Sequence, residues 1–198
     1  MKYGEQVKQQ LRNEKELSKQ IDELVESSKR VVDEVDFMAS RKIGNLGGKV
    51  LTASQIRQLR GVLKQKGVHL IVEGDVRSIT KLFKPVDDFK TIDDLFFAMR
   101  VKGFPRGFNA PTKQFFLSKN PTEIVSFHEM AHLKHFEEVG EAYLSLSKLD
   151  KETYVWKEIL ANRGKWTKAE LQDALRYIND IRTNPIHGYN LEPLKIKI

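Results

Sequence analysis

The sequence predicts an α+β domain, a few short strands among several helices. Two observations carry this reading. Residues 68–72 and 113–117 are short runs rich in β-branched or aromatic side chains, the first bounded by Gly67 and Gly74. Around them lie longer stretches with apolar residues at helical spacing, several of them opened by residues that cap helices.

Taken in chain order, residues 5–39 read as one long polar helix. Its seam of Leu17, Ile21, Leu24, Val31 and Val35 alternates spacings of four and three, with Ser28 in the gap. Gly44, Gly47 and Gly48 then mark a flexible connection, so residues 1–45 are expected to be an N-terminal helix with its linker and residues 46–198 the compact domain. Thr52 and Gln55 resemble a capping box, which opens a helix with Ile56, Leu59, Val62 and Leu63 inward. Gly67 ends it, and strand 68–72 follows. Residues 92–101 suit a helix, although Phe96 and Phe97 leave a strand open. Gly103, Pro105, Gly107 and Pro111 mark a loop before strand 113–117. Asn120, Pro121 and Glu123 form a helix start, with the asparagine as cap and the proline in first position. That helix runs to about Val139, before Gly140. Further helices are expected over 150–162 and 168–182.

Composition narrows the function. An apolar share of 40% can fill a core, and a charged share of 31% keeps the surface polar. No run approaches the roughly 18 apolar residues of a membrane span. The first ten residues lack the apolar stretch of a secretory signal, so a cytoplasmic location is expected, with delivery as part of a larger machine open. Cysteine is absent, which excludes disulfides, thiolate nucleophiles and cysteine metal ligands. The net charge of +7 is spread along the chain without a dense basic run, which argues against a nucleic-acid partner.

The chemistry is concentrated in His128-Glu129-Met130-Ala131-His132. Histidines four apart on one helix project from the same face and can close on one ion. Zinc accepts imidazole nitrogen, and a catalytic zinc keeps one position for water. Glu129 sits about 100° round the helix from His128, placed to meet that water as general base without itself binding the metal. Ile124, Val125, Ala131 and Val139 share the histidine face, which aims the pair into the domain. His135 lies on the same face one turn further on. A single unbroken helix does not converge three histidines on one ion, so a buried or hydrogen-bonded structural role is expected for it.

The third ligand is then a carboxylate. Glu152 falls in an apolar stripe with Val155, Trp156 and Ile159, where an unpaired carboxylate is costly. Glu158 lies about 120° away and is the rival, with Asn162 one turn on as its supporting partner. His187, Tyr154 and Tyr189 are candidates to stabilise an oxyanion, and His69 has no assigned role.

With these residues in place, the stretch from Leu51 to about Tyr189 resembles the zincin-like metallopeptidase toxin domain of bacterial polymorphic toxins. The resemblance rests on residues 127–135, on Glu152-Thr153-Tyr154-Val155-Trp156, and on Tyr177-Ile178-Asn179-Asp180-Ile181-Arg182. It implies a zinc-dependent peptidase effector acting on protein or peptide substrates, neutralised in the producer by a cognate immunity protein. His128, His132 and Glu152 as metal ligands are similar to the gluzincin arrangement. Lys134 departs from the zincin pattern, where an apolar residue is common, but lies about 120° from the histidine stripe. Two rivals stand beside this reading. One is a non-catalytic interaction module with a structural or vestigial zinc site; the other is a basic zincin acting on DNA-bound proteins.

Overall fold

The computed structural model describes residues 44–86, 89–101 and 107–198; the long helix expected over 5–39 lies outside them. The fold is α+β. Among the described residues it has seven α-helices and one three-stranded sheet. The helices are α1 (Ala53–Gln65), α2 (Val76–Leu82), α3 (Ile92–Val101), α4 (Glu123–Val139), α5 (Ala142–Ser145), α6 (Lys148–Ala161) and α7 (Lys168–Thr183). The strands are β1 (His69–Val72), β2 (Phe108–Asn109) and β3 (Gln114–Leu117).

The sheet order is β1-β3-β2. β3 runs parallel to β1, with Leu70 opposite Phe115 and Ile71 opposite Phe116, and antiparallel to β2, with Phe108 opposite Phe115. Successive strand residues point to opposite faces, and here both faces are buried. Leu70, Phe115 and Leu117 pack with Leu63 of α1 and Val125 and Leu133 of α4. Ile71 and Phe116 pack instead with Leu95, Phe96 and Met99 of α3. A third cluster joins Ile124 and Ala131 of α4 to Val155, Trp156 and Ile159 of α6 and Leu171, Ala174 and Ile178 of α7. Helix α4 therefore lies between the sheet and the α6–α7 pair, buried on two sides.

Local chemistry explains most boundaries. Thr52 and Gln55 form the reciprocal capping box of α1, Ser147 caps α6, and Thr167 with Glu170 boxes α7. Several details differ from expectation. Val62 is exposed, because it lies about 90° round from the stripe of Ile56, Leu59 and Leu63. Val139 is also exposed, at the last turn of α4 where the core has ended. Asn120 does not cap α4: it takes a left-handed turn at φ 54°, and Thr122 holds the cap position. Residues 108–109 are a strand within the expected loop, and α2 and α5 had no counterpart in the sequence reading.

Two segments outside the helices and strands tie the helices together. Residues 46–51 run across the starts of α4 and α7. Leu51 N–H donates to Pro121 C=O at 2.8 Å, Glu123 N–H to Lys49 C=O at 2.8 Å, and the Thr167 hydroxyl to Leu46 C=O at 2.8 Å. Gly48 has no side chain because Glu170 occupies that space: a Cβ there would fall 1.8 Å from its Oε1. At the other end, Leu194, Ile196 and Ile198 pack on the α4–α6–α7 cluster while Lys195 and Lys197 stay exposed. Asn179 holds this tail with both ends of its amide, accepting from Leu194 N–H at 2.6 Å and donating to its C=O at 3.2 Å.

Candidate metal centre

Helix α4 presents His128 and His132 one turn apart on the face that meets α6. α6 answers with Glu152, which falls in its buried stripe with Val155, Trp156 and Ile159. The three side chains meet. His128 Nε2 and His132 Nε2 are 3.2 Å apart, Glu152 Oε2 is 3.3 Å from the first, and Glu152 Oε1 is 3.4 Å from the second. All three residues are less than a tenth exposed. Among the described residues they form the one convergent group of metal-ligating side chains.

The size of this triangle can be tested against an ion. Ligand atoms about 2.0–2.1 Å from a tetrahedral cation stand about 3.3–3.4 Å apart, twice the bond length times the sine of half the tetrahedral angle. The observed separations are of this size to within about a tenth of an ångström, with each carboxylate oxygen facing a different histidine. The chemistry of the set agrees: two imidazole nitrogens and a carboxylate converge in a buried space, and one central cation satisfies all of them. Glu152 Oε2 is buried and accepts no hydrogen bond.

Glu152 and the two histidines also act on one another electrostatically. Burial alone would raise the Glu152 carboxyl, yet the facing His132 and His128 hold it well below the usual carboxylate range. Burial opposes protonation of His132, but Glu152 outweighs it and raises that imidazole. The cluster thus holds a carboxylate ready for a cation. Two tyrosines support it. The Tyr143 hydroxyl lies 3.0 Å from His132 Nδ1, and Tyr177 donates to Glu152 Oε1 at 3.4 Å. For His132 Nε2 to face an ion, Nδ1 must carry the proton and donate it to the tyrosine oxygen. Burial pushes the Tyr143 phenol up, so it remains a neutral hydroxyl.

Glu129 stands apart from the triangle, as its position on the helix requires. Its carboxylate turns to the sheet and accepts from Phe108 N–H at 3.0 Å. Burial pushes its pKa up, against the pull of His128 and His132.

The rival residues are engaged elsewhere. Glu158 forms an ion pair with Lys134 at 3.0 Å, and the Asn162 amide reaches only the backbone carbonyl of Glu158. Lys134 is exposed, off the histidine stripe. His135 is buried, stacked on Tyr154 with ring centroids 4.0 Å apart, and joins no ligand set. Tyr154 donates to Glu138, Tyr189 accepts from Leu149 N–H, and His187 pairs with Asp180, so none of these three oxyanion candidates is turned to the centre. The tyrosines at the site, Tyr143 and Tyr177, had no assigned role in the sequence reading. Tyr177 stood in a recognised block, seven residues after Glu170 on a helix with a legible start. Tyr143 gave no signal, since nothing in its local sequence indicates a partner eleven residues back.

No helix among the described residues is long and apolar enough to cross a membrane. No curated protein and no solved structure matches the chain. The metallopeptidase toxin 4 family model matches residues 33–184, a span that takes in the histidine pair, the glutamate between them, Glu152 and both tyrosines. By that match, over most of its length, the chain belongs to the metallopeptidase toxin 4 family.

Proposed function

We propose that this metallopeptidase toxin is a zinc-dependent endopeptidase with a gluzincin-like ligand set: His128, His132 and Glu152 hold the metal and Glu129 is the general base. The observation that carries the reading is the buried triangle of Nε2, Nε2 and carboxylate oxygens, whose edges suit a tetrahedral ion with zinc's bond lengths. When bound there, zinc supplies a Lewis acid that polarises the peptide carbonyl and makes water acidic enough to attack near neutral pH.

The chain's own residues do the rest. Glu129 takes the proton of the attacking water on its carboxylate and returns it to the leaving amine. Tyr143 holds the His132 ring in the tautomer that leaves Nε2 free to ligate. Tyr177 steadies the Glu152 carboxylate. The substrates are proteins or peptides, and delivery as an exported effector with a cognate immunity protein in the producer follows from the toxin class.

The experiment is a single substitution read in two ways. Glu129→Gln keeps about one equivalent of zinc by elemental analysis, because Glu129 is not a ligand, and loses at least about 100-fold in hydrolysis of an unfolded protein such as casein. Expression of the native chain in a bacterial cytoplasm slows growth and the variant does not. Near-normal turnover by Glu129→Gln would refute the base. Equal toxicity of both forms would favour a non-catalytic module acting by binding.

A further inference from the structure

Glu129 leaves α4 on the side of the sheet and is 2% exposed, so whatever packs against it decides where its carboxylate points. The neighbour is the backbone at the start of β2. Phe108 N–H donates to Oε2 at 3.0 Å. Next to it, Gly107 lies so close that a Cβ built on it would fall 2.0 Å from Glu129 Cδ, 2.1 Å from Cγ and 2.5 Å from Oε2. Those are impossible distances, and they involve the stem of the side chain as well as its tip. Glu129 could avoid them only by swinging off the Phe108 amide.

Glycine is not required here by the backbone. Six glycines of the described chain have positive φ, and Gly107 is not one of them. Any residue could adopt its conformation; none but glycine leaves room for Glu129. Nor can the strand retreat. Gly107 C=O accepts from Phe116 N–H of β3, and the Phe108 ring is set in the core beside Phe136 and Tyr143, at centroid distances of 5.8 and 6.5 Å. Tyr143 is also the residue that meets His132. The support for the base and the support for a ligand are thus one packed unit.

We propose that Gly107 and the Phe108 amide form a mould that positions Glu129, Gly107 by having no side chain and Phe108 by binding one carboxylate oxygen so that the other is left for the water proton. This rests on the reading of Glu129 as base. Gly107 is a positioning residue, since it touches no reacting atom. A carboxylate displaced by even an ångström loses a large part of its effect on proton transfer.

A double-mutant cycle in the full chain tests it, with zinc content, thermal midpoint and steady-state kinetics on casein read for each protein. Gly107→Ala lowers the midpoint by several degrees in the native background and far less in Glu129→Ala, where the space is vacant. Gly107→Ala keeps about one zinc, and its kcat falls at least about tenfold while KM stays within about twofold. If Gly107→Ala does not fold, recovery of soluble protein in the Glu129→Ala background decides in favour. Equal losses in both backgrounds, or failure to fold in both, would overturn the mould. So would coupling of the two sites without a fall in kcat. Full activity of Glu129→Gln, run alongside, would instead overturn the base assignment on which the proposal stands.

Discussion

A carboxylate does not sit in an apolar stripe unless something holds it there. Glu152 shows this: it shares a buried face with Val155, Trp156 and Ile159, and the two histidine nitrogens within 3.4 Å are its partners. The residue scale was legible wherever chemistry fixes spacing. Two histidines four apart and a glutamate on an apolar face have few other uses, and both were readable before the fold. Tyr143, Phe108 and Gly107 were not, because their roles exist only once separate elements meet. Gly107 looked like loop punctuation; its real constraint is a side chain twenty-two residues away. Two outcomes follow at this scale. Glu152→Ala loses metal affinity by orders of magnitude in a competitive chelator titration while Glu158→Ala binds almost normally, since Glu158 is committed to Lys134. Tyr143→Phe weakens binding by about 10–100-fold in the same titration, the usual cost of losing a ligand's supporting hydrogen bond. Native affinity in that variant would assign Tyr143 to packing alone.

Elements were legible in proportion to their length. The helices of 13 to 17 residues, α1, α4, α6 and α7, carry enough periodicity to be read, and the starts of α1, α6 and α7 follow capping chemistry, whereas Thr122 begins α4 without a side-chain cap bond. The seven-residue α2 and four-residue α5 span too few turns for a face to emerge, and the two-residue β2 exists only as a partner of β3. α2 did carry one local signal. Asp75 caps it through Ser78 N–H and binds Arg60 of α1 at 2.8 Å. Burial is the largest single influence and opposes ionisation of this carboxyl, but the Ser78 hydrogen bonds and Arg60 together outweigh it and lower its pKa. A lowered folded pKa stabilises the fold above the unfolded value near 3.8, and that contribution is lost as pH falls through the folded value. Asp75→Ala should cost about 1 kcal/mol near pH 7, for the cap more than for the half-exposed ion pair. The difference from the native chain should shrink towards pH 3 in urea titrations. A difference that stays constant with pH would exclude the carboxylate as its source.

The whole molecule was legible in class and less so in arrangement. Counting strands and helices gives α+β, but no count says that α4 lies between the sheet and the α6–α7 pair. That burial on two sides is what brings Glu129 on one flank of the helix and His128 and His132 on another into one buried region. The division of the chain into residues 1–45 and 46–198 remains a proposal. A chain starting at residue 46 keeps Leu46 for Thr167 and Gly48 beside Glu170. It is expected to fold and to load zinc to about one equivalent. An insoluble or metal-free product would make the first 45 residues part of the core.

The run of residues 46–51 across the starts of α4 and α7 also has a mechanical meaning. Tension applied at residue 44 enters the described domain through this run. The bonds that resist it are those to Leu46, Lys49 and Leu51, and the last two anchor the first turn of the histidine helix. A pull strong enough to strip them frees Pro121 and Glu123 and loosens the helix from its histidine end. Pulled from residue 44, a chain loaded with metal as proposed is expected to release it early, while much of the core is still folded. Optical-trap unfolding with the force applied at residue 44 should show zinc loss with the first rupture; retention of zinc until the last rupture would mean that the histidine helix does not feel the load.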